Sequence, residues 1–323
     1  MFKFKFNRLS FLLRNNNKSK SNHQLYTKIK CKNNNNNNRF YHSGHHQQYN
    51  HYNKNNLLRD GIFTVGVGLT SFALAAVVKS EKLDNTTNKL WRRFYNFCNN
   101  NNLQEYFKPI YDNTTVTNSI LASHVAIFGM HQIPKFHGVM KYNFMSSIYN
   151  VHSRALLLST FSHATLPHLA SNSIALYSFG PILLSRLNYS HEDLLALYVT
   201  AGTFSSFGAN VYNTIRKPIH MGMPGLGASG ALLACAAILS QDDNIAFSII
   251  FLPMISMSGK QVVALISAVD VVGLIKGWTT IGHAAHLSGT LFGLWFAYSN
   301  GRDLISKYEN FIFREYRKMR NRR

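Results

Sequence analysis

The residues best suited to chemistry are a serine, two histidines and an asparagine, carried on three separate apolar stretches. Ser229 stands in Met223-Pro-Gly-Leu-Gly-Ala-Ser-Gly-Ala-Leu-Leu-Ala-Cys-Ala-Ala-Ile-Leu-Ser240, between Gly227 and Gly230. A hydroxyl at the mouth of a helix lies beside free backbone N–H groups, which can stabilise a developing oxyanion. Serine Oγ is a weak nucleophile until an imidazole within hydrogen-bond reach takes its proton. The downstream stretch Ile281-Gly-His-Ala-Ala-His-Leu-Ser-Gly-Thr-Leu-Phe-Gly-Leu-Trp-Phe-Ala-Tyr298 supplies one in His286. Upstream, His168 and Asn172 are four apart, so they project from one helix face, and both can donate hydrogen bonds to an oxyanion. Alone, each motif has a plainer reading: G-x-S-G as a packing surface, H-x-x-x-N as a cap or helix–helix pair.

The elements that must position these groups are hydrophobic helices. Gly230, Ala234 and Ala237 share one face at i, i+4 and i+7; His286, Gly289 and Gly293 share another at i, i+3 and i+7. Gly227, Gly230, Gly289 and Gly293 therefore mark surfaces built for close approach of backbones. Gly61 to Val78 is an uncharged run, long enough for a tilted span at about 1.5 Å per residue. Further helices are expected at about 119–133, 166–187, 194–212, 229–240, 261–275 and 282–298, with Glu192 and Asp193 favourably placed at a helix start. Residues 135–165 read as a long, partly interfacial connection.

Ser229 and His286 both sit at helix starts, so they meet only if an odd number of crossings lies between them. That requires one span, assigned to 261–275, with 244–257 as a loop or edge segment dipping into the bilayer. The same count brings His168 and Asn172 to that side. The expectation is an all-α polytopic membrane protein: a core of six helices preceded by one extra transmembrane helix.

The order F-x-H-x-x-x-x-H-x-x-x-N, then G-A-S-G, then A-H-x-x-G-x-x-x-G on successive apolar helices resembles the rhomboid family of intramembrane serine proteases. G-A-S-G-A, I-I-F-L-P-M and H-A-A-H-L-S-G-x-L-F-G-x-W are similar to its mitochondrial presenilin-associated rhomboid-like branch. The likeness covers about residues 119 to 300 and implies Ser229 as nucleophile, His286 as general base, and His168 and Asn172 lining the oxyanion site. It implies as partners single-span membrane proteins, cleaved where their helices unwind, with no cofactor. Leu233 stands where many bacterial members carry a tyrosine that supports the imidazole. The resemblance also places the D-x-x-G of Asp270 and Gly273 outside the dyad, which favours a structural hydrogen-bonding role for Asp270 over a triad role.

Other chemistries fit less well. His283 and His286 form H-x-x-H without the glutamate of H-E-x-x-H, which argues against a zinc protease, and no metal site is expected. Ala231 stands where a nucleophile elbow needs glycine. His163 reads as a packing or interfacial residue. Cys31, Cys98 and Cys235 are scattered and suggest neither a disulfide framework nor metal ligation. A transporter would be expected to show repeats or paired broken helices. The competing reading is a non-catalytic rhomboid-like protein that binds client transmembrane helices; such proteins generally lose the serine or the histidine.

The net charge of +21 is unevenly spread: residues 1–59 hold twelve Lys/Arg and no acid. A basic chain can signal nucleic acid, but charge confined to a head and a tail around apolar segments fits placement in a lipid bilayer better. The head, with Asn33 to Asn38 and low-complexity histidines (His23, His42, His45, His46, His51), reads as a mitochondrial presequence. Four regions follow: head 1–59, leading helix and polar linker 60–118, core 119–300, and basic tail 301–323 lying on the membrane surface. The expected location is the mitochondrial inner membrane, with multiple passes.

Overall fold

A computed structural model describes residues 54–84, 115–148, 150, 152–216, 224–249, 252–278 and 281–322. The expected presequence, apart from its last few residues, and most of the polar linker lie outside the described residues, as do Cys31 and Cys98. Helices dominate: α1 (Lys54–Asp84), α2 (Thr115–His131), α3 (His137–Asn143), α4 (Arg154–Leu158), α5 (Leu166–Arg186), α6 (His191–Arg216), α7 (Ser229–Leu239), α8 (Gly259–Lys276), α9 (His283–Tyr298) and α10 (Gly301–Asn321). Short 3-10 turns at Pro134–Phe136 and Ser159–Phe161 sit within the connection between α2 and α5. The segments over Asn56–Lys82 and His191–Arg216 are long and apolar enough to cross a membrane.

Local sequence explains the ends that matter. Thr165 caps α5, its hydroxyl accepting from the His168 N–H at 3.3 Å, with Pro167 in the first turn. Ser258 and Gln261 form a capping box that starts α8, and Gly277 in the left-handed region ends it. These two signals fix how much chain is available to return from the far end of α7 to the start of α9.

The direction of each helix follows from its contacts. Gly259 at the start of α8 lies against Ser240 at the end of α7, and Gly273 near the end of α8 lies against His283 at the start of α9. α7, α8 and α9 thus alternate in direction, as the crossing argument requires. Gly61 lies against Phe207 and Gly68 against Thr200, and Lys79 bonds Asp193, so α1 runs antiparallel to α6. The core is centred on α7, whose Ala231, Ala234, Ala237 and Leu239 are fully buried.

One feature departs from the sequence reading, and two others add to it. Residues 244–257, expected as a loop or edge segment in an all-α fold, contain a two-stranded antiparallel hairpin, β1 (Ala246–Ile249) and β2 (Leu252–Ser258). Pairing satisfies backbone groups that an irregular apolar loop would leave open. The basic tail is a 21-residue helix docked on α1: Tyr308 donates to the Leu69 carbonyl at 3.2 Å, and Tyr316 donates to Glu81. Its amphipathic pattern turns Ile305 and Tyr308 toward the core. The connection 135–165 is tied to the loop before α7, where Ser146 and Gly225 exchange both backbone hydrogen bonds, at 2.8 and 2.7 Å.

Candidate active site

Ser229 is the first residue of α7, where the leading N–H groups of the helix have no intrahelical acceptor. Its loop is held from outside: the Gly227 N–H donates to the Ser159 carbonyl at 2.9 Å. Gly227 adopts φ +134°, a region that side chains disfavour. This turn lets the chain pass under the His168 ring, which a β-carbon at 227 would meet at 2.8 Å.

His286 lies one turn into α9. Its Nε2 is 2.8 Å from Ser229 Oγ, across 57 positions of sequence. The approach depends on small residues. A β-carbon on Gly289 would lie 2.1 Å from the Gly230 carbonyl oxygen, and one on Gly293 2.4 Å from the Ala234 carbonyl oxygen. Both predicted close-packing stripes therefore face each other, backbone against backbone. Ser205 of α6 locks the seam: its Oγ donates to the Ala285 carbonyl at 2.6 Å and fills the space where a Gly230 side chain would project.

His168 faces the same loop from α5, half-buried beside Gly227. Asn172 is buried one turn further on, and its Nδ2 donates to the His168 carbonyl at 2.8 Å. The structure thus brings Ser229, His286 and His168 to one end of the bundle. Asn172 is next to them, with one of its two amide hydrogens already engaged. Nearby, His163 is buried and its ring packs edge-on against His168 and His124. The packing role expected for it matches these contacts.

Sequence reasoning missed two participants. Asp270 does make hydrogen bonds, but to the histidines of the site: its Oδ1 is 2.6 Å from His283 Nδ1 and 3.2 Å from His286 Nδ1. An acid alone in an apolar segment, one turn before a glycine, was the available signal. Ser205 gave none, because one serine among the hydroxyls of α6 carries no distinguishing mark until α9 is placed beside it.

A Rhomboid domain matches residues 151–302, which contain all the site residues named above. The chain is 31% identical over 269 residues to the presenilin-associated rhomboid-like protein, mitochondrial, of Rattus norvegicus, covering 79% of this chain and 70% of that one. It is 30% identical over 274 residues to the Homo sapiens protein of the same name, covering 79% and 69%. To the mitochondrial Rhomboid protein 1 of Saccharomyces cerevisiae it is 31% identical over 182 residues, covering 54% and 50%. Together with the order of the three motifs on α5, α7 and α9, these likenesses show that the chain belongs to the rhomboid family, in its mitochondrial presenilin-associated rhomboid-like branch.

Proposed function

We propose that this protein is an intramembrane serine endopeptidase of the mitochondrial inner membrane, with α1 and a six-helix core of α2 and α5–α9 crossing the bilayer. The observation that carries the reading is the 2.8 Å separation between Ser229 Oγ and His286 Nε2. In this reading Ser229 attacks the scissile carbonyl while His286 Nε2 takes the hydroxyl proton, and the imidazolium then returns it to the leaving amine. The negative oxygen formed on the carbonyl carbon faces the α7 N-terminus, with His168 and Asn172 as further donors. Water entering from the same end hydrolyses the acyl-enzyme, with His286 again acting as base.

The substrate class follows from the setting. A peptide bond inside a helix is shielded by its own hydrogen bonds, so the best clients are single transmembrane segments with helix-weakening residues near the cut. The relatives' mitochondrial names support the location. The matching test combines two measurements on detergent-solubilised protein: labelling by a serine-reactive fluorophosphonate and cleavage of a model single-span substrate. Ser229→Ala and His286→Ala are each expected to abolish both while the protein stays folded. Cleavage at the wild-type rate in either variant removes the mechanism, and a protein that binds but never cuts the substrate supports client binding instead.

A further inference from the structure

Leu233 is half-buried and cannot hydrogen-bond the imidazole, so the support for His286 must come from elsewhere. It comes from α8. Asp270 Oδ1 reaches His286 Nδ1 at 3.2 Å and His283 Nδ1 at 2.6 Å, and the Asp270 and His283 side chains are only 3% and 1% exposed. Where Asp270 is the acceptor in both contacts, each Nδ1 is the donor. On His286 this leaves Nε2 bare toward Ser229, which is the tautomer a general base requires.

The neighbouring glycine completes the unit. A β-carbon on Gly273 would meet three atoms of the His283 ring at 2.4 to 2.6 Å, so His283 rests directly on the backbone of α8. D-x-x-G on α8 and H-x-x-H on α9 are therefore two halves of one device, each with its members one turn apart. The shorter bond fixes the carboxylate, and the remaining lone pair of the same oxygen faces His286. We infer that Asp270 and His283 are positioning residues for the general base: Asp270 holds His286 in the Nε2-bare tautomer, and His283, seated on Gly273, holds Asp270.

This inference rests on the hydrolase reading, and the experiment separates the two. Full-length Asp270→Ala, Asp270→Asn and His283→Phe proteins are compared with wild type in lipid–detergent micelles, with rates normalised to folded protein. Asp270→Ala removes the acceptor and should lower kcat about 10²-fold with little change in KM. Asp270→Asn keeps the shape but loses the charge and can turn its amide NH2 toward Nδ1, which favours the wrong tautomer, so a loss of at least about 10²-fold is expected. His283→Phe keeps the ring on Gly273 but removes the donor, and should also lower kcat about tenfold. Nitrogen NMR of labelled histidines, with the His286 signal assigned by its loss in His286→Ala, should show the proton leaving Nδ1 in Asp270→Ala. A purely structural staple would move neither kcat per folded molecule nor the tautomer. Folded Asp270→Ala with wild-type kcat or an unchanged tautomer overturns the inference. If Asp270→Ala does not fold, an Asp270→Asn rate within a factor of two of wild type does so. Cleavage that survives Ser229→Ala would instead defeat the hydrolase reading itself.

Discussion

Gly289 and Gly230 sit backbone to backbone: a β-carbon on Gly289 would fall 2.1 Å from the Gly230 carbonyl oxygen. No rotamer can relieve that overlap, because the obstructing atom belongs to the main chain. Gly289→Ala must therefore push α9 off α7, at a cost near the upper end of the roughly 1–3 kcal/mol typical of overpacking. The expected outcome is a lower thermal unfolding midpoint in micelles together with loss of fluorophosphonate labelling, as Ser229 and His286 separate. Gly129→Ala, which meets nothing within 4 Å, should change neither.

Gly227 tests the turn and not the seam. Alanine there is strained at φ +134° and would push against the His168 ring at 2.8 Å. A displaced serine loop should cost roughly 10–10² in kcat with smaller effects on stability, since misplacement by about 1 Å is enough. Gly225→Ala is the matched comparison: its β-carbon would meet only the Ser146 carbonyl oxygen, at 3.8 Å, so near wild-type cleavage is expected.

Much of this site could be read from the chain before any coordinates. Ser229, His286, His168 and the facing glycine stripes were legible because each sits in an apolar helix, where a polar or very small residue is costly or loose unless it is used. The alternation of α7, α8 and α9 was legible for a similar reason: two helix starts can meet only if an odd number of helices returns the chain between them. Asp270 was legible as an anomaly but not as a partner of His286, since the sequence does not say which face of α8 meets α9. The hairpin was hidden because 244–257 is a short apolar run beside a span already counted at 261–275, so it reads as a loop or edge segment. The docking of α10 was hidden because its basic composition reads as a solvated or surface segment, whereas Arg302, Tyr308, Glu309 and Tyr316 all make contacts with the rest of the fold.

The tail helix should respond to pH. Lys79, just past the apolar run of α1, donates to Glu309 Oε1 at 2.7 Å and Oε2 at 2.9 Å, and also to Asp193 of α6. Burial pushes the Glu309 carboxyl up to about 7, with the neighbouring Asp193 adding to the rise and Lys79 opposing it. A carboxyl whose value is raised on folding contributes stability at low pH, and that contribution is lost as pH rises through about 7. Backbone hydrogen exchange over 301–321, corrected for the intrinsic rate, should show weaker protection at pH 8 than at pH 6. Glu309→Gln should flatten that difference.

Orientation gives a further expectation. The start of α1 lies at the end of the bundle that holds Ser229, since Gly61 packs against Phe207 in the C-terminal half of α6, and Ser205, two residues earlier, packs on Gly230. If residue 54 of the proposed inner-membrane protease faces the matrix, the site opens to the matrix and α10 begins on the opposite side. A C-terminal tag should then be digested by protease added to mitoplasts, while a tag inserted beside Gly225 stays protected.

The clasp between Ser146 and Gly225, with Ser159 bonding Gly227 just beyond, means the nucleophile does not ride on its own helix alone. It is steadied by a strap that left the bundle some eighty residues earlier in the chain. Any displacement of that strap is carried through these backbone bonds to the turn that holds Ser229. For the proposed protease, the rate of cutting would then be tunable from a place that shares no atom with the reaction.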